Sequence, residues 1–313
     1  MILKKGYREI LQPKKRSNFR LRCGKVYYTF KRYLLWNSNK FKFAEKCKNE
    51  MLSYIVHQHQ SLLLRQLKDV DMKYQYSKIT NLQIAAKKLN GLMIYPGETF
   101  SYWKTIGKPS AKKGYVEGMV LDCGNFKYGR GGGLCQMSNL IYWMTLHTPL
   151  TVVERYRHSF DVFPDTNRTL PFGSGATCVY PYRDLIIKNE TPIAYQLCIW
   201  VGEEYLEGQW RASQELDCKY KVIEKNHSIK AEYWGGYSRN NELYREKYDL
   251  ADCFIETEYI TENHALMMYP PFLQEGENNN FGCLSKEIED ENEGSDIEEL
   301  IDDEWKWDET EVL

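Results

Sequence analysis

The amino-acid sequence predicts an α+β protein: a basic helical N-terminal segment, a central mixed α/β domain, a β-rich extension and a disordered acidic tail. Three observations support this prediction. Apolar residues follow helical spacing in only a few stretches. Short β-branched runs bounded by turn residues recur along the chain between residue 92 and residue 259, and acidic residues replace apolar ones beyond Pro271. The length of 313 residues, 42% of them hydrophobic, is enough to bury a substantial core.

The domain boundaries follow changes in composition and charge. Residues 1–90 carry 21 basic against 5 acidic side chains, whereas residues 271–313 carry 2 against 16. The two ends therefore either neutralise each other, or the basic end contacts an anionic surface or nucleic acid through residues 1–40. The predicted units are a basic helical region over 1–76, a central domain over 77–212, a β-rich extension packed on it over 213–270 and the acidic tail over 271–313.

The first part of the chain is predicted to be helical up to a short strand. Apolar residues recur near helical spacing over 43–67 and again over 77–89. Gly91 ends the second helix, because glycine adopts the left-handed conformation found at helix ends. A buried strand over 92–95 follows and closes at the turn Pro96-Gly97.

Beyond residue 100 the pattern changes to short strands and glycine-rich loops. A strand over 116–121 leads into a predicted loop over 124–133, and an apolar run over 136–146 has the length of a buried helix. β-Branched residues identify later strands over 151–155, 177–180, 185–188 and 195–201, followed by hairpins over 218–259 with turns at 226–228 and 240–241.

Composition also bears on where the protein is located and on whether it binds a metal or a cofactor. The longest apolar run, residues 140–146, is far shorter than the roughly 18 residues of a membrane span. The basic N-terminus lacks the apolar core of a secretory signal, and none of the nine cysteines forms a C-x-x-C pair. We therefore expect reduced thiols in a cytoplasmic protein, at a membrane surface if its basic end binds lipid, with no metal and no cofactor.

The most informative motif is a run of three glycines before a cysteine. Gly131, Gly132 and Gly133 indicate a backbone that must approach another group closely or adopt positive φ. Cys135 follows at the predicted start of a helix, where the helix dipole lowers a thiol pKa. Loop N–H groups of Gly132 and Gly133, with the side chain of Gln136, are candidates for holding an oxyanion. No Gly-Lys-Ser/Thr follows, which disfavours a phosphate loop; a tight loop beside an inert core cysteine stays open.

A second element supplies a candidate base about twenty residues later. His158 follows a predicted strand that can return toward Cys135, and a Cys–His pair is the minimum for an activated thiol. A structural histidine is the alternative, and His264 is a distant reserve. Other candidate site residues are Asp184, or else Asp161, to orient the imidazole, Arg155 and Arg157 to bind a substrate carboxylate, and Ser159 beside the substrate.

These motifs resemble the VanW family, which takes its name from an accessory protein of glycopeptide-resistance gene clusters, those of the vancomycin B type. The resemblance is densest over residues 78–200 and extends toward residue 270. The matching residues are Pro96 to Ser101, Gly107, Gly114-Tyr115, Gly131 to Gln136, Glu154-Arg155, His158-Ser159, Asp184-Leu185, Asn189, Thr191 and the run from Glu262 to Tyr269.

The resemblance implies a cell-wall function. Some exported members with this domain are understood as peptidoglycan L,D-transpeptidases that use the cysteine of the glycine loop, which makes Cys135 the nucleophile and His158 the base here. The leading prediction is Cys-dependent acyl transfer or hydrolysis on a stem peptide through a thioester, by a transpeptidase or carboxypeptidase-like enzyme. The alternative is a non-catalytic accessory protein that binds a stem peptide or a glycopeptide.

Overall fold

A computed structural model describes residues 17–64, 72–122, 125–162, 170–233, 235–269 and 271. Helices and strands both contribute, which confirms the predicted α+β class. Residues 272–313, for which a disordered tail is predicted, lie outside the described residues. None of the helices within the described ranges is long and apolar enough to cross a membrane.

The described residues form four α-helices and fourteen strands. The helices are α1 (Asn18–Asn37), α2 (Met72–Leu89), α3 (Tyr102–Ile106) and α4 (Cys135–Leu146). The strands are β1 (Lys42–Phe43), β2 (Tyr54–Leu62), β3 (Leu92–Ile94), β4 (Glu98–Ser101), β5 (Glu117–Asp122), β6 (Asn125–Arg130), β7 (Thr151–Glu154), β8 (Phe160–Asp161), β9 (Ile186–Lys188), β10 (Tyr195–Val201), β11 (Tyr205–Ala212), β12 (Cys218–Ala231), β13 (Tyr237–Asp249) and β14 (Phe254–Met267).

The strands form three four-stranded sheets and one hairpin. The sheet orders are β1-β4-β9-β7, β2-β11-β10-β3 and β12-β13-β14-β8, and β5 pairs with β6. The last sheet contains the predicted β-rich extension, and it joins the rest of the chain where β14 runs parallel to β8. Further contacts come from Arg245, which donates to Thr148 O (2.6 Å), and from Asn241, which donates to Phe172 O (2.7 Å).

The helix predicted over 43–67 is wrong. Its described part contains the last residue of β1 and all of β2 instead, and residues 65–67 lie outside the described ranges. β2 is an edge strand that pairs along its length with β11, a segment about 150 residues later in the chain. Such pairing stabilises a strand whose local apolar spacing also fits a helix.

Three further local predictions are wrong. Most of the loop predicted over 124–133 is the strand β6, and residues 177–180 form only an isolated bridge between Val179 and Arg183. The turns predicted at 226–228 and 240–241 lie inside β12 and β13. Asn226 has a φ of 54° and marks a bulge, where the register shifts between Lys225 and Ser228.

The other predicted helices and strands agree with the structure to within five residues: 77–89 with α2, 92–95 with β3, 116–121 with β5, 136–146 with α4, 151–155 with β7, 185–188 with β9 and 195–201 with β10. The elements α3, β4, β8 and β11 were not predicted. α2 ends at Leu89, and Gly91 two residues later has a φ of 81°, the left-handed conformation expected after a helix end. β10 has the predicted bounds, and α4 starts one residue before its prediction.

The hydrophobic core surrounds α4 and places its first turn beside the glycine motif. Nine of the twelve residues of α4 are buried, and the helix packs against β2 and β11. Trp210 of β11 is fully buried and donates through Nε1 to Thr145 Oγ1 of α4 (3.1 Å). Because α4 is fixed on these sides, its N-terminal residue is held in a defined place.

Candidate functional site

The glycine motif forms a tight turn that enters α4. Gly131 and Gly133 have φ values of 80° and 89°. A Cβ on Gly132 would lie 2.1 Å from the carbonyl carbon of Gly118, so only glycine fits between these two backbones. Asn81 of α2 fastens the turn, since its Nδ2 donates to Gly132 O (2.9 Å) and to Val116 O (3.1 Å).

Hydrogen bonding decides which N–H groups of the turn are available to a ligand. The N–H of Gly132 donates to Gly129 O (3.1 Å), which corrects the prediction that it faces an oxyanion. Within the part of the chain that the structure describes, the N–H groups of Gly133 and Cys135 make no hydrogen bond. Unpaired donors at the first turn of a helix are suited to a negatively charged oxygen.

Cys135 occupies the first position of α4 with a partly exposed side chain. Its Sγ donates to Cys178 O at 3.7 Å. Burial of the thiol raises the pKa of Cys135, and the hydrogen bond to Cys178 O only partly opposes that rise. The lowered pKa predicted from the helix dipole is therefore wrong, because desolvation by burial is the largest effect on this thiol.

The residues opposite Cys135 form a short segment, 176–178, held against α4 by side chains. Ser138 Oγ donates to Ala176 O (2.8 Å), and Asn139 Oδ1 accepts from Ala176 N (2.8 Å). Cys178 is buried, and burial raises the pKa of its thiol well above the ordinary value. The segment therefore presents a carbonyl, rather than a charged group, to the Cys135 thiol.

His158 contacts the same segment through Thr177. Thr177 Oγ1 lies 2.8 Å from Nδ1 of His158 and 3.2 Å from Arg157 O. Since a carbonyl only accepts, the Thr177 hydroxyl donates to it and accepts from Nδ1–H. His158 Nε2 faces Asn139 Oδ1 at 3.4 Å. The hydrogen bonds shown for Cys135 and for His158 run to different partners, although both residues contact segment 176–178.

The carboxylates proposed to orient the imidazole are engaged elsewhere. Asp184 accepts from Ser101 Oγ (2.5 Å) and from Trp103 N (2.9 Å) in the core. Burial raises the pKa of Asp184 to about 7, against the opposing effect of Arg32. Asp161 accepts from Tyr269 Oη (2.8 Å) and pairs with Arg239. Thr177, rather than Asp184, contacts Nδ1 of His158.

Arg155 is also occupied, contrary to the prediction that it receives a substrate carboxylate. Its guanidinium donates to Gly175 O (2.9 Å), Gly173 O (2.5 Å) and Asn263 Oδ1 (3.0 Å). It also lies over the ring of Tyr142, at 5.0 Å from the centroid. These contacts make Arg155 a clamp between the loop before segment 176–178 and the strand β14.

The remaining candidates form hydrogen bonds with groups other than the Cys135 thiol and the His158 ring. Gln136 Nε2 donates to Ser61 Oγ (2.9 Å) and Leu62 O (2.9 Å), which fixes the end of β2. Ser159 is exposed, and its carbonyl accepts from Leu266 N (3.0 Å). Arg157 contributes the carbonyl that accepts from Thr177, and His264 Nδ1 contacts Asn240 Oδ1 (2.6 Å).

Sequence reasoning missed three residues of this site: Asn139, Thr177 and Cys178. Asn139 lies four residues after Cys135 on a predicted helix, so their shared face was a usable signal. Thr177 and Cys178 carried no comparable signal, because segment 176–178 has no regular structure. Among the described residues no three His, Cys, Asp or Glu side chains are grouped to hold a metal ion.

Comparisons with known proteins agree with the resemblance. The family model described as VanW like protein matches residues 77–211. The chain is 36% identical to the Vancomycin B-type resistance protein VanW of Enterococcus faecalis (strain ATCC 700802 / V583) over 180 residues, which are 58% of this chain and 66% of that protein. It is 29% identical to the uncharacterized protein YoaR of Bacillus subtilis (strain 168) over 114 residues, which are 36% of each chain.

The matched segments thus span just under two thirds of the Enterococcus protein and about a third of the Bacillus protein. No solved structure matches the chain. The family match includes the glycine turn, Cys135, His158 and segment 176–178. The chain belongs to the VanW family.

Proposed function

We propose that the protein performs acyl transfer or hydrolysis on a peptidoglycan-type stem peptide, with Cys135 as the nucleophile. The observation that carries this proposal is the thiol of Cys135 at the first turn of α4 beside two N–H groups, those of Gly133 and Cys135, without a hydrogen-bond partner among the described residues. Thioester formation needs at least a thiol and, next to it, N–H groups that are available to bind the oxyanion.

The proposed reaction begins with transfer of the thiol proton to His158. The Cys135 thiolate then attacks the carbonyl that joins the third stem residue to the terminal D-residue. The N–H groups of Gly133 and Cys135 stabilise the resulting oxyanion. Collapse breaks the C–N bond, and the leaving amine takes the proton from His158 and departs as D-alanine. Water, or an amine of another stem, resolves the thioester and regenerates the thiol.

The surroundings of His158 support its role as the proton acceptor. Both ring nitrogens face oxygen acceptors, Thr177 Oγ1 and Asn139 Oδ1. The neutral ring takes the thiol proton, and the imidazolium that this produces can donate through both nitrogens to these two oxygens. Burial raises the pKa of the Cys135 thiol, so a base is needed to remove its proton before the sulfur attacks.

The proposed substrate class rests on one relative's name and on the family resemblance. One relative is named for vancomycin B-type resistance, which supports a cell-wall context for this chain. The stem peptide and its terminal D-residue come from the resemblance to family members that act on peptidoglycan. We extend both to this chain as part of the proposal.

A non-catalytic accessory role is the second candidate, and one observation favours it. Burial raises the pKa of the Cys135 thiol, where an activated nucleophile would have a lowered pKa. In that case the cleft binds the stem peptide without cleaving it. Binding is then retained when the sulfur of Cys135 is removed.

Release of D-alanine from a stem tetrapeptide tests the proposal. We expect the wild-type protein to release it, and Cys135→Ala to lose this activity while still binding the peptide in calorimetry. Cys253→Ala, which removes an exposed cysteine of the extension, is the matched control and retains activity. His158→Gln is expected to lower kcat with little change in KM. Binding without release by the wild-type protein would favour the accessory role.

A further inference from the structure

The N-terminal helix α1 carries a stripe of exposed apolar side chains on one face. Phe19, Val26, Phe30 and Leu34 are 79%, 70%, 62% and 55% exposed, respectively. Their spacings of seven, four and four residues place them along one side of the helix. Tyr27 extends the same face. A helix of a globular protein normally turns such a stripe toward the core.

The opposite side of α1 is the one that attaches the helix to the protein. Leu21, Arg32 and Trp36 are its buried residues. Arg32 forms a buried ion pair with Glu154, and Trp36 Nε1 donates to Ser101 Oγ (3.1 Å). The helix is thus held in an orientation that directs its apolar stripe away from the fold.

Basic side chains flank the stripe. Arg20 and Lys31 lie on one side of it and Arg22 on the other, as the helical periodicity requires. The surrounding sequence is strongly basic as well, since residues 1–90 carry 21 basic against 5 acidic side chains. An exposed apolar stripe between basic flanks is the pattern of a helix that lies in the plane of a membrane interface.

We propose that this face of α1 docks the protein on an anionic lipid surface. Phe19, Phe30 and Leu34 would enter the boundary between headgroups and acyl chains, and the flanking arginines and lysine would meet anionic headgroups. Nucleic acid fits less well, because Val26 and Leu34 have no function in contacts to phosphates, which are made by polar and charged groups.

Co-sedimentation of the full chain with lipid vesicles tests this proposal. We expect binding to vesicles of equal parts phosphatidylcholine and phosphatidylglycerol, a decrease with added salt, and no binding to phosphatidylcholine alone. Phe30→Ser should lower the partition coefficient about tenfold. Phe254→Ser is the matched control, because Phe254 is 58% exposed on the extension, and it should leave binding unchanged. Arg22→Glu should lower binding by about tenfold or more.

Several results would overturn the proposal. These are no binding to the anionic vesicles, equal losses with Phe30→Ser and Phe254→Ser, or binding of single-stranded oligonucleotides that depends on Phe30 more than vesicle binding does. A dimer in solution that Phe30→Ser dissociates would also contradict it, since a second copy would then cover the stripe. Equal unfolding midpoints of the two serine variants would show that a loss of binding is not a loss of fold. None of these outcomes depends on whether Cys135 is catalytic.

Discussion

The glycine turn before α4 permits a stability prediction with an internal series of controls. A Cβ added to Gly132 would lie 2.1 Å from the carbonyl carbon of Gly118, 2.3 Å from its oxygen and 2.6 Å from its Cα. These atoms are backbone atoms of β5, so no side-chain rotation relieves the overlap. Gly132→Ala therefore forces β5 away from the turn and strains the hydrogen bond between Asn81 Nδ2 and Gly132 O.

The magnitude follows from overpacking between two backbones. Inserting a methyl group into a closely packed site costs about 1–3 kcal/mol, and the upper end applies where both sides are backbone. We expect Gly132→Ala to lower the free energy of unfolding by about 3 kcal/mol. With a urea dependence of about 3 kcal/mol per molar for a chain of this size, the midpoint falls by about 1 M.

Alanine substitutions at two other glycines distinguish the cost of steric overlap from the cost of a left-handed backbone. Gly97 has a φ of 77° with no heavy atom within 4 Å of an added Cβ, so Gly97→Ala bears only the left-handed penalty of about 1 kcal/mol. Gly24 lies in α1 with open space around it, so Gly24→Ala should stabilise by about 0.5–1 kcal/mol. Urea unfolding of the three variants gives the comparison. If Gly132→Ala loses no more stability than Gly97→Ala, the close approach of the turn to β5 is refuted.

Two further predictions concern titratable groups. Because burial raises the pKa of Cys135, iodoacetamide should modify Cys135 more slowly at pH 7 than it modifies the exposed Cys23 and Cys253. The rate for Cys135 should increase at alkaline pH. Peptide mass mapping measures these rates, and faster labelling of Cys135 at pH 7 would contradict the prediction. Burial beside His147 and His59 lowers the pKa of His57 to about 3, and its ring stacks on that of His147 at 4.0 Å. Below about pH 6.5 the unfolded chain binds a proton that folded His57 does not, so the contribution of His57 to stability falls by about 2 kcal/mol between pH 7 and pH 5. His57→Phe should reduce that loss in urea unfolding at the two pH values, and an unchanged pH dependence would count against it.

Local patterns predicted the parts of the fold that local interactions determine. α2 and α4 have apolar residues at helical spacing, and Gly91 ends α2 with the conformation that only glycine adopts easily. β2 escaped prediction because its pairing partner, β11, lies about 150 residues away. Bulges had a similar effect on β12, where Asn226 continues a strand although asparagine favours turns.

The candidate site was predicted only in part, because local patterns identify some of its residues and contacts between distant segments determine the rest. The turn and the start of α4 could be identified from a few adjacent residues, three glycines and a cysteine. The roles of Asp184 and Arg155 depended on the direction of their side chains, which the sequence does not encode locally. Asp184 accepts from Ser101 and Trp103 in the core, and Arg155 clamps the backbone at Gly173 and Gly175.

Intact-protein mass spectrometry of the chain mixed with a stem tetrapeptide is the most direct test of the function proposed for Cys135. We expect an adduct with the mass of the acyl tripeptide on the wild-type protein and on Cys253→Ala. It should be absent from Cys135→Ala and released by hydroxylamine. An adduct that persists on Cys135→Ala would contradict the assignment of the nucleophile. No adduct and no D-alanine release with the wild-type protein would contradict catalysis itself.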